Sequence, residues 1–433
     1  MKPTQMANAS SELKESNTEN SRKVLMIAFH YPPIASSSGH LRTIYFSKYL
    51  RQHSWQPIVL TVHPRAYLET NLANIALTDD VEVCRSFALD TARHLSIRKI
   101  YPLFLALPDR WVSWTFAAVF SGFRLITRKK IKVIWSTFPI PTALLIGFLL
   151  KKLTRRPWVV DIRDVIVDDD YPELRQQRVA YAWLERRVAA TADAIVVTTP
   201  GAIKIYQERY PDIGDRLHWI ANGFDEKVFQ DVEKLLQPKD KREQITLVHA
   251  GLLTPADRDP RLFFDAISRL KKRGEINKSN LKIILRATGH DDIYLDQIEE
   301  KDISDIVHLC DPVEYMQALA EMFDSDGLLL FQGSTCNHAV PAKIYEYFRC
   351  RKPILAIADP TGDTVELLKT VGTGIVGDCN SSEAIEEALT EFIGSIKRKT
   401  FTPLDETVMQ QFSRKAQAGK LAAILDDIGA YDK

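Results

Sequence analysis

Two charged residues three apart open the question of chemistry: Lys343 and Glu346, in the stretch VPAKIYEYF at 340–348. The proline predicts a short helix starting at Pro341, and Lys352-Pro353 predicts its end. A lysine near a helix N-terminus opposes the positive end of the macrodipole. An anion such as a diphosphate beside that turn would answer both charges. The helix start also supplies free N–H groups, and a proline in first place wastes none. Glu346, one turn on, can accept hydrogen bonds from a diol. The plain alternative is a surface i,i+3 ion pair, worth roughly a few tenths of a kcal/mol.

Other residues could join that chemistry. VVDIRD puts Asp161 and Asp164 at the end of an apolar, strand-like run, where cleft chemistry sits in open α/β sheets. Either carboxylate could orient or deprotonate a hydroxyl, as a catalytic group; the alternative is a structural network with Arg163. In SSSGHLR, Ser38 and Gly39 form a loop that lets backbone approach a ligand, with His40 as a further catalytic candidate and Arg42 as a cation for an acceptor or a diphosphate. An ordinary Ser/Gly turn with His40 capping the next helix explains the same residues. DPTGDTVELL places Gly362, Asp363, Thr364 and Glu366 at a second helix start, where N–H groups can meet an anion. A plain helix N-terminus explains them almost as well. Asp168 to Asp170 in VIVDDDYP resemble an Asp-x-Asp metal site, against the plainer reading of a solvated acidic loop; no metal site is expected. The pairs Asp79-Asp80 and Asp291-Asp292 read as loop residues.

The elements that must position these residues are α/β. KVLMIAF (23–29) is a near-continuous apolar run, as a buried parallel strand should be. A Pro-, Ser- and Gly-rich loop, a helical pattern and the strand-like PIVLTV follow. VIWST, WVVDI, AIVVTT and RLHWIAN continue the series. A charged stretch at 233–244 predicts a linker, and the pattern then restarts with ITLVHAG. LKIILRATG, IVHLCD, GLLLFQG and PILAIAD supply further strands. The 433 residues suit two domains better than one core. Hydrophobic content of 45% and charged content of 26% fit a soluble globular chain. The net charge of +1 gives no bulk field for nucleic acid. Five cysteines without a Cys-x-x-Cys pair argue against a zinc ribbon or a disulfide framework and for a reducing cytoplasm. There is no Gly-x-Gly-x-x-Gly after the first strand and no Walker sequence.

The ordered set AFHYPPIASSSGHLRTIYF, LPDRWVSW, WVVDIRD, ANGFDEKVF, HAGLLTPADRDP and VPAKIYEYFRCRKPILAI resembles the GT-B glycosyltransferases, in particular the retaining family 4, over roughly residues 23–430. The resemblance implies two facing Rossmann-like domains with the active site in the cleft between them. The expected division is a disordered tail at 1–22, an acceptor domain at 23–235, a donor-binding domain at 236–410, and a helix at 411–433 packing back on the first domain. It also implies donor-binding roles for Lys343 and Glu346, with Arg258 as the cation after HAG; Gly362, Asp363, Thr364 and Glu366, at the second helix start, are candidates for the same donor. His338 stands eight residues before Glu346, where the family often has a glutamate that touches the donor sugar.

The expected activity is transfer of a sugar from a nucleotide-sugar donor to a hydroxyl, with retention, and with neither metal nor cofactor. The acceptor is expected to be a saccharide or a lipid-linked saccharide, in surface polysaccharide assembly. The greasy segments 101–132 and 141–157 each end in basic residues. They read either as helices packed on a sheet or as a surface for the cytoplasmic face of a membrane. The rival readings are a non-catalytic sugar-nucleotide or glycan-binding protein, which His338 favours, and a sugar-nucleotide epimerase.

Overall fold

The computed structural model describes residues 22–35, 39–71, 75, 78, 80–96, 98, 100–169, 171–236 and 243–430. The tail expected at 1–22 therefore lies outside the described residues, apart from Arg22, which opens the first strand. The chain divides into two compact units. Unit 1 takes the residues up to 198, 202–221 and those from 414 onward; unit 2 takes 199–201 and 222–413.

Unit 1 holds a sheet of seven parallel strands: β1 (Arg22–Ile27), β2 (Trp55–Val62), β3 (Glu82–Ser86), β4 (Val133–Thr137), β5 (Trp158–Ile162), β6 (Ala194–Val197) and β7 (Leu217–Trp219). Their order is β3-β2-β1-β4-β5-β6-β7. Leu25 of β1 sits between Ile58 of β2 and Ile134 of β4 in register. The helices of this part of the chain are α1 (Gly39–Tyr49), α2 (Thr91–His94), α3 (Trp114–Lys129), α4 (Pro141–Thr154), α5 (Arg175–Thr191) and α6 (Pro200–Arg209). One face of the sheet packs on α3, α4 and α5 through residues such as Leu60, Ala118, Leu150 and Leu184. The other face packs on α1 and on the C-terminal helix, through Ile44, Phe46, Leu421 and Leu425. Both faces are covered, so the inner strands are apolar on both sides.

Unit 2 begins with α7 (Glu226–Glu233) and holds six parallel strands: β8 (Ile245–Ala250), β9 (Leu281–Arg286), β10 (Val307–Cys310), β11 (Gly327–Gln332), β12 (Ile354–Ala358) and β13 (Ile375–Asp378). Their order is β10-β9-β8-β11-β12-β13. Its other helices are α8 (Arg261–Lys272), α9 (Asp291–Glu300), α10 (Tyr315–Asp324), α11 (Lys343–Cys350), α12 (Asp363–Val371), α13 (Ser382–Arg398) and α14 (Glu406–Gln410). The returning helix of unit 1 is α15 (Arg414–Gly429). In both sheets the strand order reverses beside the unit's first strand, β1 or β8. Open α/β sheets bind ligands outside the carboxyl ends of the strands at such a switch.

Three expectations change. The division between units falls at 221/222 rather than 235/236, because α7 is tied into unit 2 by Arg349 of α11. Its guanidinium forks onto Glu226 at 2.8 Å and Glu233 at 2.9 Å. Part of the expected linker, 237–242, lies outside the described residues. The helix expected from Pro341 begins at Lys343, and Arg351 ends it in the left-handed region at φ 56°. Asp291 and Asp292 are not loop residues: they open α9, where acidic side chains suit the helix dipole.

Candidate functional site

In unit 2 the chemistry gathers at the carboxyl end of β8. Gly251, the residue after that strand, has φ +141°, a conformation that L side chains rarely adopt. A Cβ there would overlap Cε of Lys343 and lie 3.0 Å from its Nζ. The first side chain of α11 therefore lies across the bare backbone that follows β8. Arg258 stands in the turn beyond, with its backbone N–H on Thr254 O at 2.8 Å and its Nε buried without a partner. Among the described residues no carboxylate forms an ion pair with Lys343 or Arg258.

Under these cations sits His249, in β8. It is 2% exposed, and its Nδ1 lies 2.9 Å from Leu329 O. Burial holds its pKa down at about 4; the contact with Leu329 works against the drop, and the charges of Lys343 and Arg258 add to it. His249 is thus neutral, and the site concentrates positive charge on Lys343 and Arg258. Helix α11 is held rigidly below: Tyr347 Oη donates to Leu329 O at 3.0 Å, and Arg349 forks onto α7.

Glu346 faces Tyr315, whose hydroxyl donates to its Oε1 at 2.7 Å. Lys343 and Glu346 do not form the surface pair that their spacing allows. His338 is half-buried in the loop before α11, and its carbonyl accepts from Thr199 Oγ1 at 2.6 Å. The second loop is occupied differently from expectation. Thr364 is buried and donates to Ala339 O at 3.2 Å. Asp363 takes the Gly201 N–H on its Oδ2 at 2.6 Å, and its own N–H goes to Asn337 O. Gly362 abuts Asn337, whose Oδ1 would lie 2.9 Å from a Cβ there. These contacts knit the loop before α12 to the loop before α11, so Asp363 and Thr364 bind protein where a donor contact was expected. Glu366 is exposed.

Unit 1 revises the expected catalytic set. Arg42 of α1 is 2% exposed and Asp161 of β5 is fully buried. Arg42 bonds Asp161 through Nε at 2.9 Å and Nη2 at 2.8 Å, and donates to Ile220 O and Ala221 O, each at 2.9 Å. Thr137 Oγ1 adds a bond to Asp161 at 3.2 Å. A buried guanidinium needs a carboxylate, so these two residues serve each other. Arg42 is therefore not a loop cation for acceptor or diphosphate, and Asp161 is not an exposed base. Asp161 is bonded by Arg42, and its charge, with that of Asp164, also acts on Arg163. Asp164 is exposed. Gly39 opens α1, and His40 is a buried residue of that helix rather than its cap. Ser38 lies outside the described residues.

Asp168 and Asp169 sit in a turn closed by Asp168 N–H to Tyr171 O at 2.8 Å, and Asp170 lies outside the described residues. Among the described residues no group of three His, Cys, Asp or Glu side chains is placed to hold a metal ion. No helix among them is long and apolar enough to cross a membrane. The two greasy segments differ. Helix α4 buries Leu144, Ile146 and Leu150. Helix α3 exposes Phe116, Phe120 and Phe123 on one face, at 83%, 65% and 42%, with Arg124 stacked over Phe120.

Residues 46–223 match the family described as a glycosyl transferase 4-like domain. No curated protein matches the sequence. Among solved structures, HepE of Anabaena in complex with UDP is similar with a TM-score of 0.65 and 16% identity, over 94% of this chain and 100% of that one. Sucrose-phosphate synthase of Thermosynechococcus elongatus is similar with a TM-score of 0.67 and 14% identity, over 95% and 100%. A putative UDP-N-acetylglucosamine 2-epimerase of Listeria monocytogenes gives 0.57 and 10%, over 95% and 97%. HepE has also been solved with UDP-glucose.

Proposed function

We propose that this chain, a glycosyltransferase with a glycosyl transferase 4-like domain and the GT-B fold, transfers a sugar from a uridine diphosphate donor to a hydroxyl, with retention and without a metal. The observation that carries the reading is the pair of unpaired cations, Lys343 across Gly251 and Arg258 nearby, at the carboxyl end of β8. Leaving as a diphosphate puts developing negative charge where fixed cations lower the barrier. Lys343 and Arg258 are assigned to that charge, and neutral His249 keeps a third cation from competing beneath them. Glu346 Oε1 is engaged by Tyr315, which leaves Oε2 to accept from a ribose diol. His338, Gly362 and Glu366 are assigned to the donor, with His338 assigned to the sugar. On the acceptor side Asp164 and His40 are the groups assigned to the reacting hydroxyl.

The acceptor is assigned to a membrane surface, as a lipid-linked saccharide. Support comes from α3: three phenylalanines at i, i+4 and i+7 face outward, and the helix ends in Arg128 and Lys129. Aromatic rings with flanking cations suit an anionic bilayer face.

The test is the thermal midpoint against UDP, ADP and GDP, each with Mg2+ and with chelator, on wild type and Lys343→Ala. UDP is expected to raise the midpoint in chelator, by about 2.7 kcal/mol of stabilisation at a hundredfold excess over Kd, and not in the variant. A shift that requires metal and survives Lys343→Ala overturns the assignment, as does no shift at all.

A further inference from the structure

Unit 2 holds a recess with about 290 Å³ of room, at the carboxyl ends of β11, β12 and β13. Phe331 of β11 and Ile357 of β12 line it from the sheet, and Leu262 lines it from the first turn of α8. The turn at Pro255 to Asp259 and the loop at Gly333 to Thr335 supply the rest, with Asn380 after β13. Lys343 and Glu346 do not line it, and neither does Arg258, although Arg258 stands in the same turn. At about 30 Å³ for each water, the recess has room for about ten waters. That is near the roughly 300 Å³ at which small-molecule sites begin.

The lining offers what a sugar ring needs. Pro255 and Leu262 are partly exposed apolar walls. Around them Asp257, Ser334, Thr335 and Asn380 bring a carboxylate, two hydroxyls and an amide, the last three on exposed residues. Asn380 Nδ2 donates to Ser334 Oγ at 3.0 Å, and Thr335 Oγ1 donates to Ala256 O at 3.3 Å. Exposed contacts of this kind are worth little net in water, so ligand hydroxyls can join or replace them. The charge decides which sugar. Among the described residues no lysine, arginine or histidine lines the recess, while Asp257 and Asp259 do. Arg261 Nε donates to Asp259 Oδ2 at 2.5 Å, which leaves Asp257 to set the sign. A phosphate or carboxylate entering there meets like charge, and a neutral ring does not. The recess is thus the electrostatic opposite of the cationic site at the end of β8.

The recess also adjoins a seam. Gly333 N–H donates to Asp257 O at 2.5 Å, which ties the loop after β11 to the turn that carries Arg258. Gly333 is bare for that reason, since a Cβ there would lie 2.9 Å from Asp257 O. A ligand that touches both segments braces the same seam. We propose that the recess binds one neutral saccharide unit and, by bridging the two segments, steadies the turn that carries Arg258. The binding does not rest on the glycosyl-transfer reading; only the use made of a steadied Arg258 does.

The test uses the full chain carrying Lys343→Ala, which weakens the donor site. Ligand-observed NMR titration compares glucose, galactose and N-acetylglucosamine with glucose 1-phosphate and glucuronate. At least one neutral sugar is expected to bind saturably, and the charged sugars at least about tenfold more weakly. Amide exchange in peptides spanning 253–259 and 331–336 is expected to slow when the neutral sugar is bound. Ala256→Trp, on an exposed residue of the turn, fills the recess and is expected to weaken binding at least about tenfold. Asn380→Ala, which removes the amide, is expected to weaken it too, and decides alone should the tryptophan variant misfold. Saturable binding of none of the neutral sugars, a charged sugar bound as tightly, exchange unchanged in both peptides, or binding unchanged in the variants overturns the proposal. Separate titration of wild type with UDP reports on the donor reading, so one can fail while the other stands.

Discussion

Replacing Asp161 by Asn separates a scaffold carboxylate from a catalytic one. Asn keeps the shape and one acceptor oxygen but removes the charge. Arg42, 2% exposed, then carries an unanswered guanidinium in a core that also contains Phe46, 4.7 Å from it. Breaking a buried pair by one partner costs about 3–5 kcal/mol. Retained hydrogen bonding puts Asp161→Asn near the lower end, about 3 kcal/mol. Arg42→Met costs more, because it strands the charge of Asp161 and also removes the donors to Ile220 O and Ala221 O. Each buried carbonyl left alone adds about 1–3 kcal/mol. The double variant Arg42→Met, Asp161→Asn closes the cycle: it strands the two carbonyls but no charge, so the roughly 3 kcal/mol charge penalty of each single is absent and it should cost about 6 kcal/mol less than their sum. The assay is urea unfolding of all four proteins, with turnover measured in parallel below the transition. A scaffold role predicts lowered midpoints, strong coupling in the cycle, and turnover that falls only as folded protein is lost. A wild-type midpoint in Asp161→Asn with turnover down by about 10² or more would refute the reasoning and return Asp161 to the role of general base.

Two further outcomes are expected. His249 has a folded pKa of about 4 against an ordinary 6.5, so the unfolded chain takes up the proton first and stability falls as pH drops through that window. His249→Asn should remove up to about 3 kcal/mol of that acid loss, 2.5 units at about 1.36 kcal/mol each; an unchanged midpoint-versus-pH curve between pH 7 and 4 sinks the claim. The triple variant Phe116→Ser, Phe120→Ser, Phe123→Ser should sediment at least about tenfold less with phosphatidylglycerol vesicles than wild type, since burial of a phenylalanine is worth about 1.5–3 kcal/mol; equal sedimentation removes the membrane assignment.

The inner strands were legible because they are buried on both faces, and the edge strands β7 and β10 were legible from the apolar residues of RLHWIAN and IVHLCD. WVVDI and VIWST read as strands because nothing polar interrupts them before the strand end. The edge strands β3, EVCRS, and β13, IVGD, carry polar residues because an edge needs no such burial, and they gave no signal. The positions of Lys343 and Arg258, each at a strand-loop-helix junction, were legible from the order of the elements and from the resemblance. The partnership of Arg42 with Asp161 was not, because 119 residues separate them and an Asp at a strand end looks the same whether it is bonded or free. His30 and His249 stand at or beside strand ends, in AFHYPP and LVHAG, but only burial and orientation tell such a histidine from an ordinary core residue.

The chain leaves unit 1 after Ala221 and returns to it only at Arg414. Residues Ala418, Leu421, Ile424 and Leu425 of α15 then cover Ile44, Phe46 and Leu50. During synthesis, the first unit emerges early, yet the face of its sheet that α1 covers stays partly uncovered until Arg414–Gly429 has been made. Unit 2, nearly continuous in sequence, has all it needs before that. The order of completion is thus the reverse of the order of emergence, and a stop codon just ahead of Arg414 would spare the second unit while leaving the first with an open core.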